Sequence, residues 1–114
     1  MDKQSRRDAI RDYKERKTPT GVFAVRCVAT GEAWVGQSVH LDQQKNRLFF
    51  ALRQGGHPNP AVRAAFAAHG EAGMSFEVLE TLETDELTAY GRGNLLKDRA
   101  AHWRAELGAK KLVG

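Results

Sequence analysis

The chain has a single cysteine, Cys27, in 114 residues. That excludes an internal disulfide framework and a cysteine-rich zinc site. No apolar run approaches the ~18 residues that a membrane-spanning helix needs, so no membrane partner is expected. No apolar h-region follows the charged start Met1-Asp2-Lys3-Gln4-Ser5-Arg6-Arg7, so no secretory signal is read there and a cytoplasmic protein is expected. No repeat and no low-complexity segment is visible. One further absence is local. Between residues 44 and 70 there is no Asp or Glu at all, while Lys45, Arg47, Arg53 and Arg63 fall inside that stretch.

Hydrophobic residues make up 41% of the chain and charged residues 28%, the balance of a soluble globular fold rather than a disordered one. The length suits one domain with one core. The net charge is +4, but its distribution says more than its size. Residues 1–18, 19–43, 44–70, 71–86 and 87–114 carry +3, −1, +4, −6 and +4 in turn. A surface that collects residues 44–70 is cationic whatever the total, and such a surface attracts phosphate.

The coarse order of elements is α-β-β-α-α-β-α. Residues 2–17 are mostly charged, with Ile10 and Tyr13 as a narrow apolar stripe, and read as a short helix that docks or forms a basic arm. Pro19 ends it. Val22 to Val28 and Ala33 to Gln37 read as strands around the turn Ala29-Thr30-Gly31-Glu32. Residues 41–54 carry Leu41, Leu48 and Leu52 at helical spacing and stop at Gly55-Gly56. Asn59-Pro60 is a helix start and Gly70 its stop. Met74 to Glu80 alternates as a third strand. Thr84-Asp85-Glu86 reads as the start of a last helix ending at Gly108, weakened near Arg92 by Gly91 and Gly93. Tyr90 and Trp103 are expected to pack that helix on the sheet, and Cys27 to be buried. The fold expected is α+β, one small domain with a three-stranded antiparallel sheet flanked by helices. Residues 1–18 form the charged N-terminal helix or arm, 19–108 the domain, and 109–114 a C-terminal tail.

Gly21-Val22-Phe23 on the first strand and Trp34-Val35-Gly36 on the second, followed by Gln37-Ser38, stand in a particular order. With the Gly55-Gly56-His57 turn, the helix ending at His69-Gly70 and the Phe76-Glu77-Val78-Leu79-Glu80 strand, the stretch Gly21–Leu82 resembles the GIY-YIG nuclease superfamily. The resemblance implies a nuclease that uses one divalent metal. It implies two motif tyrosines lining the site, one of them helping to activate the attacking water. It further implies an Arg on the first core helix for the phosphate charge, a Glu on the last helix for the metal, and often an assisting His. The chemistry needs a proton acceptor, a cation for the phosphorane and a hard oxygen ligand.

Position by position, Phe23 and Trp34 stand where the tyrosines belong, and neither ring accepts a proton. Gln44 stands at the Arg position, and Ala100 falls at the Glu position when the last helix is aligned through Trp103. Arg47, about one turn after Gln44, is the nearest substitute cation, and His57 matches a family His. Asp98 and Glu106 are expected to face away. Arg47 and His57 are the candidate catalytic residues. The candidate nucleic-acid-binding residues are Phe23, Trp34, Gln37, Ser38, Gln44, Lys45, Arg47, Arg53, His57 and Arg63, with Trp34 read either as a core aromatic or as a stacking platform for a base. No residue is assigned to a metal. No resident cofactor is expected, with Mg²⁺ or Mn²⁺ needed only if the chain cleaves. The expected function is nucleic-acid binding, DNA foremost, with weak or absent endonuclease activity. The alternatives are an active metal-dependent endonuclease with relocated groups, or a protein-interaction module that pairs with a partner or a second copy.

Overall fold

In the computed structural model, residues 19–84 and 86–112 are described. The expected N-terminal helix lies outside them. The first strand, β1 (Thr20–Cys27), is buried almost throughout, and Arg26 alone is half-exposed. Such a run suits a strand covered on both faces, and β1 lies inside the sheet: the strand order is β3-β1-β2-β4. β1 pairs antiparallel with β2 (Ala33–Ser38) on one side and with β3 (Met74–Leu82) on the other. The connecting turn closes through Gly31, whose φ of 76° favours glycine. Alternation along β1 then sorts its side chains. Phe23, Val25 and Cys27 join one apolar cluster, and Val22 and Ala24 join the other.

The helices follow from these two faces. The helix α1 (Leu41–Arg53) buries Leu41, Leu48, Phe49 and Leu52 in the cluster that holds Phe23, Val25 and Trp34. The helix α2 (Pro60–His69) adds Val62 and Ala65. It starts where Asn59-Pro60 places it, and the Asn59 side-chain oxygen accepts from the N–H groups of Ala61 and Val62 at 2.9 and 3.2 Å. A short 3-10 turn (Glu71–Gly73) leads into β3. The helix α3 (Ala89–Leu107) covers the opposite face. There Ala100 packs with Val22, Ala24 and Val35, and Trp103 and Leu107 lie against them.

Four expectations change. The last helix begins at Thr88, whose hydroxyl accepts from the Gly91 N–H at 3.0 Å, and not at Thr84. Gly91 and Gly93 therefore fall at its N-terminal end, and no break interrupts it. Tyr90 sits in that first turn and is 81% exposed, whereas Trp103 does pack on the sheet. The sheet has four strands, not three: β4 (Lys110–Lys111) pairs parallel with Trp34 and Val35, so the sheet is mixed. Lys110 and Lys111 thus belong to the sheet, and Leu112 is buried in the core.

Two glycines of the motif strands have steric reasons. A Cβ on Gly21 would stand 2.0 Å from the Glu80 carbonyl oxygen, and one on Gly36 would stand 2.6 Å from Cζ of Phe23. β1 also shifts register against β3 between Val22 and Phe23, one residue after that close approach. The bulge and the glycine together let the backbones of β1 and β3 meet.

Candidate nucleic-acid interface

β4 runs beside Trp34 and Val35 only. Past Val35 no described strand covers the outer edge of β2, and a cavity of about 520 Å³ opens there between α1 and α3. Its floor is Phe23, Val35, Gly36 and Gln37. The ring of Phe23 stacks on Phe76 with centroids 5.0 Å apart, which fixes its angle. The absent side chain at Gly36 leaves that ring and Leu112 in the floor.

One wall is a stripe of α1: Gln44, Arg47, Leu48 and Ala51. The facing wall is a stripe of α3: Gly93, Lys97, Ala100 and Arg104. Both follow helical spacing, so each helix turns one continuous face to the cavity. Lys111 and Leu112 from the β4 end and His57 from the loop before α2 complete the lining. Ala100, the residue aligned with the family's metal ligand, thus stands on the cavity wall, one turn after Lys97 and one turn before Arg104.

The electrostatics of this lining are one-sided. Arg47, Lys97, Arg104 and Lys111 face the cavity, and no carboxylate does. Outside the cavity, Lys45, Arg63 and Arg92 have no ion pair among the described residues, and four other cations are neutralised locally. Arg26 pairs with Glu77, Arg53 with Glu71, Arg99 with Glu80 and Lys110 with Glu32, at 2.9, 2.9, 2.7 and 3.4 Å. Among the described residues, none of the four cavity cations has such an ion pair. Arg47 donates to the side-chain oxygen of Gln43 at 3.0 Å, a neutral amide that orients the guanidinium and leaves its charge intact.

His57 is buried at 6% exposure. Its Nδ1 accepts from the Asn59 N–H at 3.0 Å, so the neutral ring carries its proton on Nε2. Burial, with the nearby charge of Arg63, holds its pKa below the usual histidine value of 6.5. Asn59 extends the link: its side-chain N–H donates to the Leu112 carbonyl at 2.9 Å. One side chain thus caps α2 and holds the segment that carries Lys111. On the outer side of α3, Glu80 accepts from Arg99 and from the Trp103 indole at 2.7 and 3.0 Å. These donors hold its carboxyl below the ordinary range and fasten α3 to β3.

The structure divides the sequence-derived candidates. Gln37, Gln44, Arg47 and His57 are brought together in the cavity lining, with Phe23 beneath them as a core residue at 1% exposure. Trp34 is 1% exposed, inside the core cluster, and presents no face to a base. Ser38 lies outside the cavity and accepts from the His40 N–H at 2.9 Å. Lys45 and Arg63 are exposed on their helices but do not line it, and Arg53 is committed to Glu71. Lys97, Arg104 and Lys111 join the site without having been expected there. The spacing around Ala100 held the signal for two of them: on a helix, positions three before and four after share its face. Lys111 had none, because it depends on the parallel pairing of β4. Asp98, as its helical phase implied, and Glu106 lie outside the lining.

The divalent ion implied by the family resemblance needs hard oxygen ligands, chiefly carboxylates. The described lining supplies guanidinium and ammonium groups instead, and the described residues contain no group of three His, Cys, Asp or Glu side chains able to hold a metal. This donor set does not fit such an ion.

No protein-family model and no curated protein matches the sequence. Two solved structures match the fold. One is a single-substitution mutant of the catalytic domain of the intron endonuclease I-TevI, at 21% identity and a TM-score of 0.67, covering 80% of this chain and 86% of that one. The other is the catalytic domain of the homing endonuclease I-TevI, at 18% identity and a TM-score of 0.67, covering 83% and 99%. The described helices carry no segment long and apolar enough to cross a membrane. With Gly21-Val22-Phe23 and Trp34-Val35-Gly36 paired on adjacent strands and helices on both faces, the chain has the GIY-YIG fold.

Proposed function

We propose that this chain binds nucleic acid, DNA foremost, through its phosphate backbone, and cuts it weakly or not at all. The observation that carries the reading is the cavity at the open edge of β2, lined by Arg47, Lys97, Arg104 and Lys111 with no acid among them. Unpaired cations on facing walls suit a polyanion, since each phosphate neutralised releases counterions and adds affinity. The fold match to an endonuclease catalytic domain supports the class of ligand. The replacements argue against efficient cutting. Phe23 has no atom that accepts a proton from water, Gln44 brings no charge, and Ala100 offers no metal ligand.

A second reading, cleavage with relocated groups, is favoured by one observation: Arg47 and His57 line the same cavity. Arg47 would stabilise the charge developing on phosphorus. Neutral His57 presents Nε2–H, a donor suited to the phosphate or the leaving oxygen. A supercoiled plasmid incubated with Mg²⁺ or Mn²⁺ separates the readings. The binding reading expects a DNA affinity that falls steeply with salt and no nicking above buffer. Nicking that disappears in Arg47→Ala establishes the second reading, and no DNA affinity at low salt rejects both.

A further inference from the structure

We propose that the cavity holds a phosphodiester with protein cations alone, Lys97 and Arg104 standing on either side of Ala100, so that binding there needs no Mg²⁺ or Mn²⁺. The inference rests on the nucleic-acid reading and deepens it by naming the groups that neutralise the bound phosphate.

The positions carry the argument. Lys97 and Arg104 flank Ala100 on one face of α3 and both reach the cavity. A divalent cation seated beside Ala100 would meet two like charges and no carboxylate, an arrangement that Coulomb repulsion opposes. The same two charges attract an anion seated there. Across the cavity, Arg47 faces them with its charge uncompensated, since its partner Gln43 is neutral. Arg suits this task because its planar fork grips phosphate through two parallel N–H groups. His57 adds a neutral Nε2–H donor, its Nδ1 being engaged by Asn59. The volume of about 520 Å³ lies within the usual range for small-ligand sites.

The acids of the described chain lie elsewhere. Four other basic residues each sit within 3.4 Å of a glutamate. The chain therefore has acids available to neutralise surface cations and places none of them, among the described residues, on this cavity. A site built for a metal keeps carboxylates, whereas a site built for an anion excludes them.

The test uses two probes with the full chain. A fluorescein-labelled DNA duplex is titrated by anisotropy in EDTA and in MgCl₂ at matched ionic strength. Inorganic pyrophosphate is titrated by calorimetry in EDTA. The variants are Lys97→Gln and Arg104→Gln, alone and together, with Arg26→Ala, ion-paired at the hairpin end of β1, as the control. The expected result is DNA affinity equal within about twofold in the two buffers, with the double variant about tenfold weaker or more and its salt slope lower by about 2. Arg26→Ala is expected to bind as the parent does. DNA binding that requires Mg²⁺ overturns the inference and leaves the nucleic-acid reading standing. Pyrophosphate bound in EDTA and lost in the double variant, with no DNA bound in either buffer, keeps the anion site and rejects the nucleic-acid reading. No binding of either probe in EDTA, or parental affinity in the double variant, overturns the inference. If the double variant fails to fold, the exposed Lys97→Gln change alone reads the same loss at about threefold, with the salt slope lower by about 1.

Discussion

The two ends of β2 serve opposite purposes. At one end Trp34 is sealed, with β4 alongside and the core cluster beneath it. Two residues later Gly36 and Gln37 open onto a cavity that no described strand covers. The difference lies in how far β4 extends: it pairs with Trp34 and Val35 and then stops. A short edge strand therefore closes the hydrophobic half of the motif and leaves the polar half accessible. A large aromatic residue at a motif position is, for that reason, weak evidence of a ligand contact until its edge neighbours are known.

Changes at each end should separate stability from binding. The largest effect is expected from Trp34→Ala, which empties a fully packed site and should cost about 3–5 kcal/mol in chemical denaturation. DNA affinity of the fraction still folded should be nearly unchanged; a selective loss of affinity with little loss of stability would return Trp34 to the interface. Gly36→Ala acts at the boundary, where the new Cβ crowds Phe23 and Leu112. It should cost about 2 kcal/mol of stability and also reduce affinity, because the cavity floor moves. Arg47→Ala should leave the melting temperature unchanged and weaken DNA binding about tenfold, or about 1.4 kcal/mol, with a shallower salt slope.

His57 couples the two properties through pH. Its folded pKa lies below its unfolded value of 6.5, so the unfolded chain takes up the proton more readily. The stability that the neutral ring supports is present above pH 6.5 and is lost as pH falls through the folded pKa. Denaturation midpoints measured across that window should decline for the parent and stay flatter for His57→Asn; parallel curves would show that the ring is not held neutral. The smallest effect is expected at a paired cation outside the cavity. Arg53→Ala removes an exposed bridge to Glu71, and should change stability by no more than about 0.5 kcal/mol and DNA affinity by less than about twofold.

Much of the fold is readable from local chemistry. Asn59-Pro60 sets the start of α2, Gly70 and Gly108 set helix ends, and the near-continuous apolar run of β1 marks an interior strand. These signals act over a few residues. β4 has no such signal: Lys110-Lys111 shows no strand pattern, and its pairing depends on a partner far away in sequence. The start of the last helix is ambiguous in the sequence because Thr84 and Thr88 are both competent caps; the structure uses Thr88.

The cavity divides along the same line. Phe23, Gln37, Gln44, Arg47 and His57 lie on segments whose order the motif strands fix. The cations of α3 and β4 reach the cavity through tertiary packing. Arg53 resembles a member of the basic stretch because its partner Glu71 is 18 residues away. An acid-free window of sequence does not make an acid-free surface.

Asn59 has a consequence for chemical ageing. Its side-chain oxygen caps α2 while its amide N–H reaches Leu112. Hydrolysis to aspartate would keep the first role and abolish the second, loosening the segment that brings Lys111 to the cavity. The usual route to that damage is cyclisation through the next backbone nitrogen acting as nucleophile. Here that nitrogen belongs to Pro60, which has no N–H to give up. The residue that starts α2 thus also shields the amide before it from spontaneous deamidation, and the joint between α2 and β4 should persist in aged protein where an Asn-Gly pair would have decayed.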